Sequence, residues 1–230
     1  MSVKKYFHKE LKNARREVSR LQGAAKLQDV WDYYKLWIIG IICLIAFVIY
    51  IVVARAMTPG DNWFYITIAN TQADAGNKSQ IWKDFVDYSG YDTKEKNVYF
   101  NSNCYFDPFS EKINNYYTYF AAYVDAGTLD MIAMEKDDLQ KLGERGRLLD
   151  LSRPEASEIM AKYKDRLIYA VPLDEEYSTE PVPIGIDLSD SVLVSKYHIY
   201  SNSCAVGVSA NCPHMDAVLK FLAFVLEDGE

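Results

Sequence analysis

The residue types that could carry chemistry in this 230-residue chain are carboxylates, amides and tyrosines. Asp130, Glu135, Asp137 and Asp138 crowd into one short stretch, a density at which paired carboxylates could share acid–base work. Their setting argues for something plainer. They sit where a solvated helix start would put them, and acidic side chains favour a helix amino end without any catalytic purpose. The chain has no Gly-x-Ser-x-Gly elbow, His-Glu-x-x-His pair, phosphate-cradling glycine loop or dinucleotide fingerprint. Its three histidines (His8, His198, His214) and four cysteines show no spacing that suits zinc. An enzyme, a metal site and a cofactor are therefore not expected. What remains is Asn70, Gln72, Asn103, Tyr105 and Asp107, hydrogen-bonding and stacking groups of the kind that hold a small polar ligand. The competing reading is that they are ordinary polar loops.

One stretch dominates what must position them. Leu36–Val53, LWIIGIICLIAFVIYIVV, has no formal charge. As a helix its eighteen residues rise about 27 Å, close to the hydrocarbon thickness of a bilayer. Residues 1–35 carry nine Lys/Arg against four acids, whereas only Arg55 lies near the far end. Basic flanks stay on the cytoplasmic side, so the amino terminus is expected inside and the remainder outside. Trp31, Tyr33, Tyr34 and Trp37 suit the inner interface, with Tyr50 and Trp63 as weaker counterparts at the outer one. Ala54-Arg55-Ala56 has the small-x-small shape of a cleavage site, but the leader is too long and the apolar run too extended for an ordinary signal. The expected organisation is a basic cytoplasmic helical segment (1–35), a transmembrane helix (36–54), a linker (55–62) and an extracytoplasmic domain (63–230).

Charge divides along the same line. The net −7 splits into +5 for residues 1–35 and −12 for the rest. An acidic outer part excludes nucleic acid as a partner, and the basic inner segment fits an anionic leaflet. Within it Phe7, Leu11, Ala14, Val18, Leu21 and Ala25 form an apolar seam at steps of 3 and 4. That seam fits a helix lying on the lipid surface, or one that self-associates or pairs with a partner. Cys104, Cys204 and Cys212 are an odd number on the outer side, and no obligatory disulfide is expected. Asn77-Lys78-Ser79 matches a glycosylation acceptor, relevant only in a eukaryotic secretory pathway.

Beyond the span, aromatic and β-branched runs alternate with helical patterns. Strands are expected at 63–69, 97–100, 129–134, 167–172, 183–187 and 205–209. Helices are expected at 79–88, from near Ser110 to Gly127, and at 136–142, 154–163 and 213 onward. In the second of these, Ile113, Tyr116, Tyr117, Phe120, Ala121 and Val124 read as one core-facing stripe. The β-α-β-α-β-α opening implies a three-layer α/β domain with a mostly parallel sheet. In such a sheet ligands sit beyond the carboxyl ends of the strands. That places Asn70 and Gln72 after the first strand, and Asn103, Tyr105 and Asp107 after the second.

Three stretches resemble the extracellular solute-binding proteins of ABC importers, of the periplasmic-binding-protein type II fold. They are AGTLDMIAMEKDDLQKLGERGRLLDLS (126–152), VPIGIDLSDSVLV (182–194) and VGVSANCPHMDAVLKFLAFVLE (206–227). WDYYKLWIIG (31–40) is similar to the membrane junction of single-span proteins from Gram-positive anaerobes. The resemblance implies a truncated, single-lobe version of that fold, since the outer residues leave no room for a second lobe. It also implies a non-catalytic, membrane-anchored interaction module, with an ABC permease or a second copy of the chain as partner. The alternative it implies is a tethered receptor that takes a sugar, amino acid or peptide into a reduced cleft. A cell-surface enzyme is the third reading.

Overall fold

The computed structural model describes residues 24–57, 61–105, 107–108, 114–174 and 176–227. The seam side chains from Phe7 to Ala25, the turn at 58–60, and the Ser110 and Ile113 positions lie outside the described residues. The chain divides into two units between Thr58 and Pro59. In the first, helix α1 (Ala24–Met57) is 34 residues long. Its stretch Tyr34–Val53 has a mean hydropathy of 3.1 and buries none of its side chains. It is long and apolar enough to cross a membrane.

The second unit is a six-stranded sheet between two layers of helices. In chain order its elements are β1 (Asn62–Ile68), α2 (Gln80–Ser89), β2 (Asn97–Asn101), α3 (Asn115–Asp125), β3 (Met131–Met134), α4 (Lys136–Gly143), α5 (Ser157–Tyr163), β4 (Leu167–Ala170), β5 (Val182–Asp187), α6 (Val192–Ser195), β6 (Ala205–Val208) and α7 (Met215–Leu226). The helix ends follow local chemistry. Ser79 caps α2 by accepting from Trp82 N, and Gly90 closes it at φ 69°. Asn114 caps α3 by accepting from Tyr117 N. The left-handed Gly127 follows the end of that helix.

The sheet order is β2-β1-β3-β6-β5-β4. Only β1–β2 and β1–β3 are parallel; β3–β6, β6–β5 and β5–β4 are antiparallel. The expectation of a mostly parallel sheet is corrected to a mixed one. The cause is the connections. A parallel return needs a crossover that carries the chain back over the sheet, normally on a helix. Complete helices follow β1 and β2. Among the described residues no helix lies between β4 and β5, and the four-residue α6 between β5 and β6 is too short to span the sheet.

Alternate residues along each strand feed two cores. Phe64, Ile66 and Ile68 of β1, Met131 and Ala133 of β3, and Val206 and Val208 of β6 pack with α2 and α7 on one face. Ring centroids of Phe64, Phe85, Phe100 and Phe221 lie 5.2–6.1 Å apart there. Each such ring contributes about 1.5–3 kcal/mol over an exposed one. On the other face Tyr65, Ile132, Met134 and Ala205 meet Phe120 and Val124 of α3 and Leu139 and Leu142 of α4. The stripe expected on α3 is narrower than its periodicity suggested: Tyr116 joins Tyr119 and Tyr123 at the surface. Gly185 permits close packing of α4, since a Cβ there would lie 2.6 Å from Leu139 and 2.8 Å from the Val206 carbonyl. Trp63 stacks on Tyr91 at 5.2 Å, with Lys96 over its own ring and Lys220 over Tyr91, so this unit's own packing accounts for it without an interface role.

Candidate functional site

The parallel half of the sheet ends at Ile68, Asn101 and Met134, and the loops beyond carry the predicted residues. Asn70 adopts a left-handed φ of 57°, which asparagine tolerates better than most residues. Its N–H donates to Cys104 O at 2.9 Å and its Nδ2 donates to Asp138 Oδ2 at 2.9 Å. Burial pushes the Asp138 carboxyl above the usual range, Asn70 draws it back, and the Asp107 and Asp137 charges push it up again. Tyr105 donates its hydroxyl to Thr71 O at 2.6 Å, and its carbonyl accepts from Asn114 Nδ2 at 3.1 Å. Asn103 donates its backbone N–H to Asn101 Oδ1 at 3.1 Å. Gln72, Asn103 and Asp107 project from the surface. Asn70 and Tyr105 thus clamp the two loops together, while the other three stand around them.

Tyr200 occupies the crevice these loops would border. It lies in the β5–β6 connection and is 5% exposed. Its hydroxyl reaches the carbonyls of Ala69, at 2.6 Å, and Ala133, at 2.9 Å, the residues at the carboxyl ends of β1 and β3. Burial holds this phenol well above its ordinary pKa, with Cys204, Asp138 and Glu135 adding to the effect. Thr71 Oγ1 donates to Ile199 O at 2.8 Å and ties the same connection to the first loop. The place where an open α/β sheet receives a ligand is filled here by the chain's own side chain. The described residues of this unit form one lobe, with no second lobe facing the loops.

Asp130 is the residue the sequence misplaced. It is not a solvated helix-start acid but 0% exposed. Its carboxyl accepts from Tyr65 N at 2.7 Å, His214 N at 3.0 Å and Cys212 Sγ at 3.4 Å, and His214 Nδ1 lies 3.1 Å and 3.2 Å from its two oxygens. Burial raises its pKa, and the Tyr65, His214 and Cys212 contacts work against the rise. The cluster combines Cys, His and Asp around one buried carboxyl. Burial first, and then the Asp130 charge, push the Cys212 thiol far above its normal range. The signal was available: Asp130 interrupts the apolar run LDMIAM, where an acid has to be internally satisfied.

A cleft of about 610 Å³ opens at the opposite end of the strands, between Leu148, Leu173, Val182 and Ile184. Its charged groups are engaged within the domain. Arg147 pairs with Asp125, and Arg145 donates to Pro108 O at 3.0 Å above the Tyr117 ring. Arg153 donates to the Tyr177 hydroxyl at 3.2 Å, which donates to Asp150 at 3.0 Å. Among the described residues no group of three His, Cys, Asp or Glu side chains is arranged to hold a metal, and Cys104, Cys204 and Cys212 are free thiols. Compared with known proteins, the chain matches no protein family, no curated protein and no solved structure.

Proposed function

We propose that the chain is a single-span membrane protein with a cytoplasmic amino terminus, whose outer α/β domain is a non-catalytic interaction module similar to one lobe of an ABC-type solute-binding protein. The observation that carries this reading is Tyr200, which fills the crevice where a solute would bind and ties it to the carbonyls of β1 and β3. The engaged charges of the 610 Å³ cleft support it. With Tyr200 in that crevice, the surface that remains is suited to contact, with an ABC permease or another copy of the chain as partner. The anchor is α1, and the basic residues preceding it set the orientation.

The test is a thermal-shift titration of the full chain in lipid nanodiscs against sugars, amino acids and short peptides. No saturable shift is expected. A saturable shift that Asn70→Ala or Asn103→Ala abolishes would replace this reading with that of a tethered solute receptor. Orientation is tested separately. Protease added to intact cells should remove the outer domain, and its survival there, with loss only after lysis, would invert the topology.

A further inference from the structure

The two edges of the sheet are treated differently. At β2, the outer row of backbone groups is sealed by side chains: Trp82 Nε1 donates to Val98 O at 2.7 Å, and Phe100 N donates to Asn77 Oδ1 at 2.8 Å. Such caps keep a second strand from adding. At β4 no such cap is found among the described residues. Which of its groups face outward follows from β5. Leu188 N donates to Cys204 O at 2.8 Å, so Ile186, two residues earlier on the strand, also turns toward β6. Its partner Leu167 therefore turns its N–H and C=O outward. After the register shift, Pro183 O accepts from Leu151 N at 2.8 Å, away from β4, so its partner Tyr169 is outward-facing as well. The same parity carries exposed apolar side chains at and just beyond the strand: Tyr169 is 44% exposed and Val171 46%, whereas Leu173 leaves this row, its N–H donating to Glu144 O at 2.7 Å. No charge interrupts 167–173, and Pro172 falls on the inward parity where its missing N–H costs the outer row nothing.

We infer that β4 is a pairing edge and that its partner is β4 of a second copy, joined antiparallel about a two-fold axis at Tyr169. Three features select a copy over any other strand. The outward groups are self-complementary in this register, because Tyr169 opposes Tyr169 and Leu167 opposes Val171, each as a hydrogen-bonded pair. The apolar row continues across the seam, ring against ring at the axis. Charge matches at Lys164: exposed before the strand, beside exposed Asp165, it meets the end carrying exposed Asp174 and Glu176, and the two-fold repeats the match. The result is a continuous twelve-stranded sheet from two six-stranded ones. This rests on the contact-module reading in naming a partner, but its test reads geometry and not ligand binding.

The experiment is position-specific oxidation of the full chain in lipid vesicles, in a Cys43→Ala background. In the pairing, Tyr169→Cys brings two sulfurs onto opposed residues with Cα atoms about 5.5 Å apart, within disulfide reach. Val171→Cys alone leaves them about 13 Å apart along the strands. Tyr169→Cys is expected to give a covalent dimer on a non-reducing gel and Val171→Cys alone none. Mixed Leu167→Cys and Val171→Cys chains should give a heterodimer, which covers the case of a Tyr169→Cys chain that fails to fold. Failure of both designed pairs, or equal cross-linking of Val171→Cys alone, overturns the inference. Either result leaves the thermal-shift test of the module reading unaffected.

Discussion

Replacing Tyr200 tests directly whether the crevice is filled by structure or merely occupied. Tyr200→Phe removes the hydroxyl and keeps the ring. Ala133 O still accepts Ala69 N at 2.8 Å, so only Ala69 O loses the partner that Tyr200 supplied. One net hydrogen bond at a buried carbonyl is worth about 1 kcal/mol. Tyr200→Ala also removes a buried ring, and truncation of large aromatics in a core costs about 3–5 kcal/mol. The alanine variant should therefore lose about 4–6 kcal/mol in all. That is a large share of the roughly 5–15 kcal/mol a domain of this kind possesses. Urea titration of the full chain, followed through the fluorescence of Trp63 and Trp82 in the second unit, reads both variants. The midpoint should move slightly for Tyr200→Phe and severalfold further for Tyr200→Ala. Phenol added to the alanine variant should recover part of the loss by refilling the space. A loss below about 1 kcal/mol for Tyr200→Ala would show that the side chain leaves the crevice readily, and the argument against a solute site would fail.

Two further outcomes follow from buried and paired charge. Asp130→Ala strands the N–H groups of Tyr65 and His214, at about 1–3 kcal/mol each. Asp130→Asn keeps one accepting oxygen and should cost about half as much by the same urea assay. Asp187 is subject to burial, which raises its pKa, but Lys136 at 2.6 Å and two donors from Ser189 outweigh this and hold it below the usual carboxylate range. The native state thus binds fewer protons there than the unfolded chain. The stability this gives is complete above the ordinary carboxylate pKa and is lost as pH falls through the depressed one. Lys136→Met should raise the Asp187 titration midpoint in carboxyl NMR and move acid unfolding to higher pH, whereas an unchanged midpoint would separate the two residues.

Much of this fold was legible because local chemistry and tertiary structure agree. Ser79, Gly90 and Gly127 mark helix ends by the backbone geometry they favour, and they do so here. The six strands read as β-branched and aromatic runs because both faces of the sheet are covered, so each run is nearly continuous in apolar character. What resisted reading was long-range. Asp130 looks like its neighbours Asp137 and Asp138 until Cys212 and His214, more than eighty residues away, fold over it. Tyr116 shares a helical period with Phe120, but its hydroxyl-bearing ring can stay at the surface as readily as it can pack. Asn70, Gln72, Asn103, Tyr105 and Asp107 do fall in the loops after β1 and β2. That Asn70 and Tyr105 bind loop to loop depends on register between two strands, which no periodicity encodes.

The sheet's mixed direction and its closed crevice have one origin. Had β5 been followed by a full crossover helix, the chain would have passed over a face of the sheet and the next strand would have joined in parallel. The carboxyl ends of β1 and β3 would then have stayed open, as an α/β sheet ordinarily leaves them. Instead the connection carries only the four-residue α6, and the strand it delivers runs antiparallel to β5 and β3. A return without a crossover has to turn at the end of the sheet where β5 finishes. That is the same end at which β1 and β3 finish, because Asp187 of β5 and Met134 of β3 both pair with Ala205 at the start of β6. The turning segment therefore crosses the strand ends, and Ile199 and Tyr200 are the apolar residues it lays into them. The one short connection thus both sets the antiparallel half of the sheet and lays Tyr200 against the carbonyls of Ala69 and Ala133 at the ends of β1 and β3.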